Sequence, residues 1–229
     1  MASAALASFA GTLGLAKSLL LLESKYHDPP PIQHEVEVKA LRGGAAVLMV
    51  AAFEDYLHTV IQESLDPFQC SPPRKPLSQL PSKLQVASVF HSLLHALKGP
   101  RHGKPSEKIN RLPDVQQACT LVVQDRVDAL ALANTGGNPN SERVSDLLKQ
   151  LDIHDPFIKI KDEYERLTAT QVAQTFVQDT LDAIVLRRHR VAHTATTNVS
   201  RTDLTDSVAF LKSLAEVVDV VIAVRVAAY

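Results

Sequence analysis

Within Leu186-Arg187-Arg188-His189-Arg190-Val191-Ala192-His193, residue types suited to phosphoryl chemistry gather on a turn-sized spacing. Arginine is permanently cationic, and its forked donors match the oxygens of a phosphodiester. Histidine takes or gives a proton near neutral pH. A helix or tight turn from Arg188 to His193 would bring guanidinium and imidazole near each other, a pairing able to cut RNA without metal. The same cluster also suits a solvated helix end, because cations are favoured at a helix C-terminus by the macrodipole.

The order of the surrounding residues adds to this. Arg187, Arg188, His189, Val191, Ala192 and His193 resemble the R-x4-6-H signature of the HEPN superfamily, especially its RiboL-PSP-HEPN branch. Upstream, the apolar run Val47–Ala52 closes on Phe53-Glu54-Asp55-Tyr56, which is similar to that branch's early helix. Asn138-Pro139-Asn140 ahead of a short amphipathic segment, and a last helix over Thr202–Val224, extend the resemblance from about Val36 to the C-terminus. Three positions depart from it. Thr194 follows the motif histidine where the branch often has Gly, His189 replaces a common Asn, and Ala195 stands where partner-modified members carry Tyr.

The resemblance implies a metal-independent endoribonuclease in which a 2′-hydroxyl attacks the adjacent phosphate, leaving a cyclic phosphate and a 5′-hydroxyl. Arg188 would stabilise charge on the phosphoryl oxygens, and His193 would act as general base or acid. Arg187, Arg190 and Arg201 would hold the RNA backbone. His189 either orients the motif or caps the turn. Glu54 either orients the motif arginine or histidine, or is simply solvated. One Arg–His pair offers a single proton-transfer group for a reaction that moves two protons, so a homodimer with a composite site is expected. A toxin or effector in bacterial stress response or anti-phage defence is the implied setting, with a neutralising or activating partner protein. A helical RNA-binding or interaction subunit without chemistry is the alternative.

Composition bounds these readings. The 229 residues are 45% hydrophobic, enough for a substantial core, and the net charge of −1 gives no global attraction to nucleic acid. RNA contact must then come from local basic patches: the motif arginines, and the stretch from Lys98 to Pro105, which reads more readily as a solvated connector. With four Tyr, seven Phe and no Trp, extensive stacking on bases is not an obvious route to specificity. Cys70 and Cys119 show no paired spacing, as expected in a reducing cytoplasm. Lys17 interrupts the Ala/Leu-rich N-terminus, which lacks a basic start, so neither a signal peptide nor a membrane span is expected. No cofactor is implied. His91 and His95 stand four apart, with His102 a conceivable third ligand, but no H-E-x-x-H pattern or cysteine cluster supports a metal site. No phosphate-cradling glycine loop or nucleophile elbow is present.

Apolar residues recur at helical spacing throughout, which predicts an all-α, HEPN-like bundle of about six or seven helices. Residues 1–32 read as an N-terminal helical extension and 33–229 as the helical domain, forming one compact unit. The first helix runs from about Ala4 to Lys25 and stops before Pro29-Pro30-Pro31. The second spans Gln33 to Leu65, with a bend possible at Gly43-Gly44. A Pro-rich stretch from Pro67 to Pro81 is expected to be a flexible insert. A third helix carries Leu84 to Leu97 and a fourth Val115 to Leu130. Asn138-Pro139 is expected to start a helix that buries Val144, Leu147, Leu148 and Leu151. The motif helix begins near Thr168 or Thr170, and Ser200 caps the last helix.

Overall fold

A computed structural model describes residues 3–97, 109–194 and 199–229, without the side chains of His95, His193 and Thr194. The expected basic loop from Lys98 to Pro105, with His102, lies outside the described residues, as does Ala195. Among those described there are nine α-helices and no strand, so the all-α architecture holds. In chain order they are α1 (Ala4–Glu23), α2 (Glu35–Gln69), α3 (Ser82–Leu97), α4 (Leu112–Val123), α5 (Ala129–Leu132), α6 (Ser141–Gln150), α7 (Pro156–Thr168), α8 (Phe176–Thr194) and α9 (Arg201–Ala227).

The long helix α2 is the axis of the bundle, packed against α1, α5, α8 and α9. Its middle turns are apolar all round, and Met49, Val50, Phe53, Tyr56, Leu57, Val60 and Ile61 are all buried. Helix α1 is long and apolar enough to cross a membrane, yet it buries Ala5, Phe9, Leu13 and Ala16 in the shared core. Phe9 packs on Phe53 and Tyr56 with ring centroids 6.3 and 5.3 Å away. Helix α1 approaches α2 closely at Gly44, where a Cβ would sit 3.0 Å from Leu19 Cδ1 and require that side chain to shift. Carboxylates complete the α1 N-terminus, where the Ala5 N–H donates to Glu63 Oε2 at 3.0 Å and the Ser3 hydroxyl donates to Asp219.

Tyr56 ties α2 to α9 by donating its hydroxyl to the Ala215 carbonyl at 2.7 Å. Burial, reinforced by Asp219 and Glu63, pushes this phenol well above its ordinary range, so it remains a neutral donor. Tyr56→Phe removes that hydrogen bond and is expected to cost about 1 kcal/mol, lowering Tm by about 2–4 °C in a thermal melt. A shift within error would show the bond adds nothing.

Several boundaries differ from expectation for identifiable reasons. Helix α2 passes through Gly43-Gly44 and accepts Pro67 in its last turn, ending at Gln69 rather than Leu65. The Pro-rich stretch is docked rather than a flexible insert: Leu77 N–H donates to the Asp125 carbonyl at 2.7 Å, and the Asp125 carboxylate accepts from the Ser78 N–H and hydroxyl at 2.7 and 2.6 Å. Leu77 and Leu80 are buried with it. Asp125, at φ 58°, turns the chain out of helix and divides the expected fourth helix into α4 and α5. The N-cap of α6 is Asn140, whose side chain accepts from the Arg143 N–H at 3.0 Å, two residues later than expected. Helix α7, unforeseen, starts at Pro156, and Ala169 at φ 53° ends it, so the motif helix starts at Phe176 rather than near Thr168 or Thr170. Ser200 does cap α9, accepting from the Asp203 N–H at 3.0 Å.

Candidate functional site

Helix α8 carries the basic motif. Val177, Leu181, Ile184 and Val185 bury one face against α2 and the core, and that face gives way to arginine after Val185. The helix continues without interruption to Thr194, so Arg188 and His193 are five residues apart on regular helix rather than across a turn. At 3.6 residues per turn they are separated by roughly 140° around the axis and about 7.5 Å along it. His189 and His193 are the pair that share a stripe, at i and i+4. The side chain of His193 lies outside the described residues.

The arginines have different surroundings. Arg187 turns toward α9, donating from Nη1 to Ser207 Oγ at 3.1 Å with Nη2 3.9 Å from Asp203 Oδ1. Arg188 carries a buried Nε that has no hydrogen-bond partner among the described residues. A buried guanidinium nitrogen left without an acceptor is costly, and Arg225 Nε on α9 is in the same state although its Nη2 is paired with Asp152. His189 and Arg190 are exposed.

Arg201 is separate from this group. Its Nε donates to Glu23 Oε2 at 2.6 Å and its Nη2 to the Tyr26 carbonyl at 2.9 Å. Glu23 is fully buried and also accepts from Arg42, at 2.8 Å from Nε and 2.6 Å from Nη2. Arg42 in turn donates to the Val199 carbonyl at 3.2 Å. This clamp joins the end of α1, the first turns of α2 and the start of α9, and it engages Arg201 with the protein while its side chain stays 29% exposed.

Glu54 is half-buried on α2, and its Oε1 accepts from the Thr135 hydroxyl at 2.9 Å. Among the described residues its hydrogen bond goes to this loop, not to the motif arginines. The flanking Phe53 and Tyr56 are core residues, so this part of the Phe-Glu-x-Tyr element is architectural. The loop after Thr135 turns at Gly136, φ 71°, where a Cβ would collide with the Arg143 guanidinium. At its far end Ser141 is fastened to the motif helix itself, its N–H and hydroxyl both 2.7 Å from the Asp182 carboxylate. Asp182 and Thr135 were not singled out in the sequence. Asp182 sits on the motif helix, but its partner is 41 residues away.

The RiboL-PSP-HEPN family model matches residues 15–223, nearly the whole chain. The chain belongs to the RiboL-PSP-HEPN family. Comparison with curated proteins and with solved structures finds no match. Membership of this HEPN family points to an RNA-related, nuclease-type function and accounts for the all-α bundle. The match begins inside α1, in line with α1 packing into the same core as α2 and α9. Among the described residues no group of His, Cys, Asp and Glu has the makings of a metal centre.

Proposed function

We propose that this HEPN protein is an endoribonuclease that cleaves by internal attack of the 2′-hydroxyl, with Arg188 and His193 as its reacting pair. The observation that carries this reading is the buried, unpartnered Nε of Arg188, while Arg187 and Arg201 are engaged by Asp203 and Glu23. In the proposed reaction the 2′-oxygen forms a bond to phosphorus as its proton passes to a base. The bond from phosphorus to the 5′-oxygen breaks, and that oxygen receives a proton. His193 serves one of these transfers, and Arg188 stabilises the phosphoryl oxygens. Glu54 supports the pair through the Thr135 loop and Ser141, which Asp182 fastens to the motif helix. Arg187 sets the helix against α9, and Arg190 with His189 faces the RNA.

The helical geometry favours a shared site. Two groups about 140° apart on one helix converge less readily than groups brought together from two helices about a two-fold axis. We therefore propose a homodimer in which each protomer supplies an Arg188 and a His193. The family resemblance supports a toxin or effector in bacterial defence or stress response, acting in the cytoplasm and governed by a partner protein.

The test is a single-stranded RNA oligonucleotide incubated with the protein in EDTA, alongside the same strand with 2′-deoxynucleotides at the cut positions. Cleavage of the first to cyclic phosphate and 5′-hydroxyl ends, with the second left intact at those positions, is expected. Cutting at the deoxy positions, or cutting only with added Mg²⁺, would overturn the reading.

A further inference from the structure

Between α3 and α6 lies an open groove of about 610 Å³ in which Lys83, Arg143 and Lys149 face one carboxylate, Asp146. Among the described residues none of these three cations is paired with a carboxylate, although ten ion pairs there engage other Lys or Arg side chains. Lys83 Nζ is 3.2 Å from His154 Nδ1. Its apolar lining includes Phe90, a residue 58% exposed, beside Val86 at 69%. On a chain of net charge −1, such a concentration of unneutralised cations favours an anionic ligand, and an exposed aromatic face among them suits a flat ring.

The groove is joined to the proposed reaction site. Arg143 packs on Gly136, next to the Thr135 that Glu54 holds, and Ser141, two residues before Arg143, is bonded to Asp182. Asp182 precedes Arg188 on the motif helix by six residues, about 9 Å of rise.

We propose that this groove is a track for single-stranded RNA, with phosphates on Lys83, Arg143 and Lys149 and one unstacked base on the Phe90 ring. The assignment rests on the ribonuclease reading for its choice of ligand. An acidic amphipathic peptide is the competing occupant, and it is one outcome of the test.

The experiment uses the full chain carrying His193→Ala, so that RNA stays intact, and a fluorescein-labelled 12-nucleotide single-stranded RNA followed by anisotropy at several salt concentrations. Phe90→Ala is expected to weaken binding by roughly 5- to 100-fold. Lys83→Ala with Lys149→Ala is expected to reduce the salt slope by about 1.4, the loss of two phosphate contacts. In the protein with His193 intact, the same substitutions should raise KM for the 12-mer and leave cleavage of a dinucleoside monophosphate unchanged, because that substrate is too short to reach the groove. Unchanged affinity and salt slope would overturn the proposal, as would capture of a Glu-rich amphipathic peptide by a groove whose variants still bind RNA normally. Equal loss of dinucleotide cleavage would also overturn it, by showing an effect on the reaction site. If no RNA is cut but the binding losses persist, the groove stands and the ribonuclease reading falls.

Discussion

His193→Ala is expected to lower RNA cleavage by roughly 10²- to 10⁴-fold, the usual contribution of a positioned proton-transfer group. Arg188→Ala is expected to cost about 10²- to 10³-fold, comparable to removal of a donor aimed at charge that develops in the transition state. The double variant should be little worse than the poorer single one, because groups acting as a unit are not additive. Arg187→Ala is the informative neighbour. Its guanidinium is directed to Ser207 and Asp203, so its loss should cost about 1 kcal/mol of stability and less than tenfold in rate. Initial rates on one RNA substrate, with melting curves for each variant, separate these outcomes. Equal effects at Arg187 and Arg188 would remove the distinction that the unpartnered Nε draws between them.

The largest effect on stability is expected at Glu23. This carboxylate is fully buried between Arg42, whose side chain is 11% exposed, and Arg201. Replacing it with alanine leaves Arg201 without its counter-charge and Arg42 with Asp28 alone, 3.0 Å away, and breaking a buried pair in this way typically costs about 3–5 kcal/mol. For a chain of this length the corresponding fall in Tm is on the order of 10 °C. Glu35→Ala serves as the control: its contact with Lys39 is exposed on both sides and is worth well under 1 kcal/mol. The clamp also fixes Val199 and Arg201 at the start of α9, the helix against which Arg187 of the motif packs, so Glu23→Ala should lower cleavage even at temperatures where the variant stays folded. A Tm within 2 °C of the wild type would show that the buried pair is not a main support of the fold.

The architecture was legible in the sequence wherever helical periodicity was strong. The apolar stripes of α3, α6 and α9 locate those helices, and the polar cap Ser200 marks the start of the last one to the residue. What periodicity did not convey was punctuation set by single side chains and backbone angles. Asp125 in the left-handed region divides one expected helix into two. Helix α7 is largely polar and buries only Pro156, Phe157 and Ile160, yet Asp155-Pro156 offered a start signal that could have been read. The Pro-rich stretch looked unanchored because Asp125, its anchor, lies 47 residues beyond Ser78.

The candidate site was legible as a cluster, and its internal differences were not. Nothing local separates Arg187 from Arg188; what separates them is α9, which brings Ser207 and Asp203 to the first and no hydrogen-bond acceptor to the Nε of the second. Arg201 read as one more basic residue near the motif because its partner, Glu23, is 178 residues away. Phe90, one of few aromatics, carried no sign in the sequence of standing open to solvent among cations on a neighbouring helix.

The central claim is tested most directly by mapping fragment ends after total RNA is incubated in EDTA with wild type, Arg188→Ala and His193→Ala proteins. Internal cuts bearing 2′,3′-cyclic phosphate and 5′-hydroxyl ends are expected with the wild type, and their loss in both folded variants. Identical fragments from all three proteins, or no cleavage by a folded wild-type dimer, would contradict it.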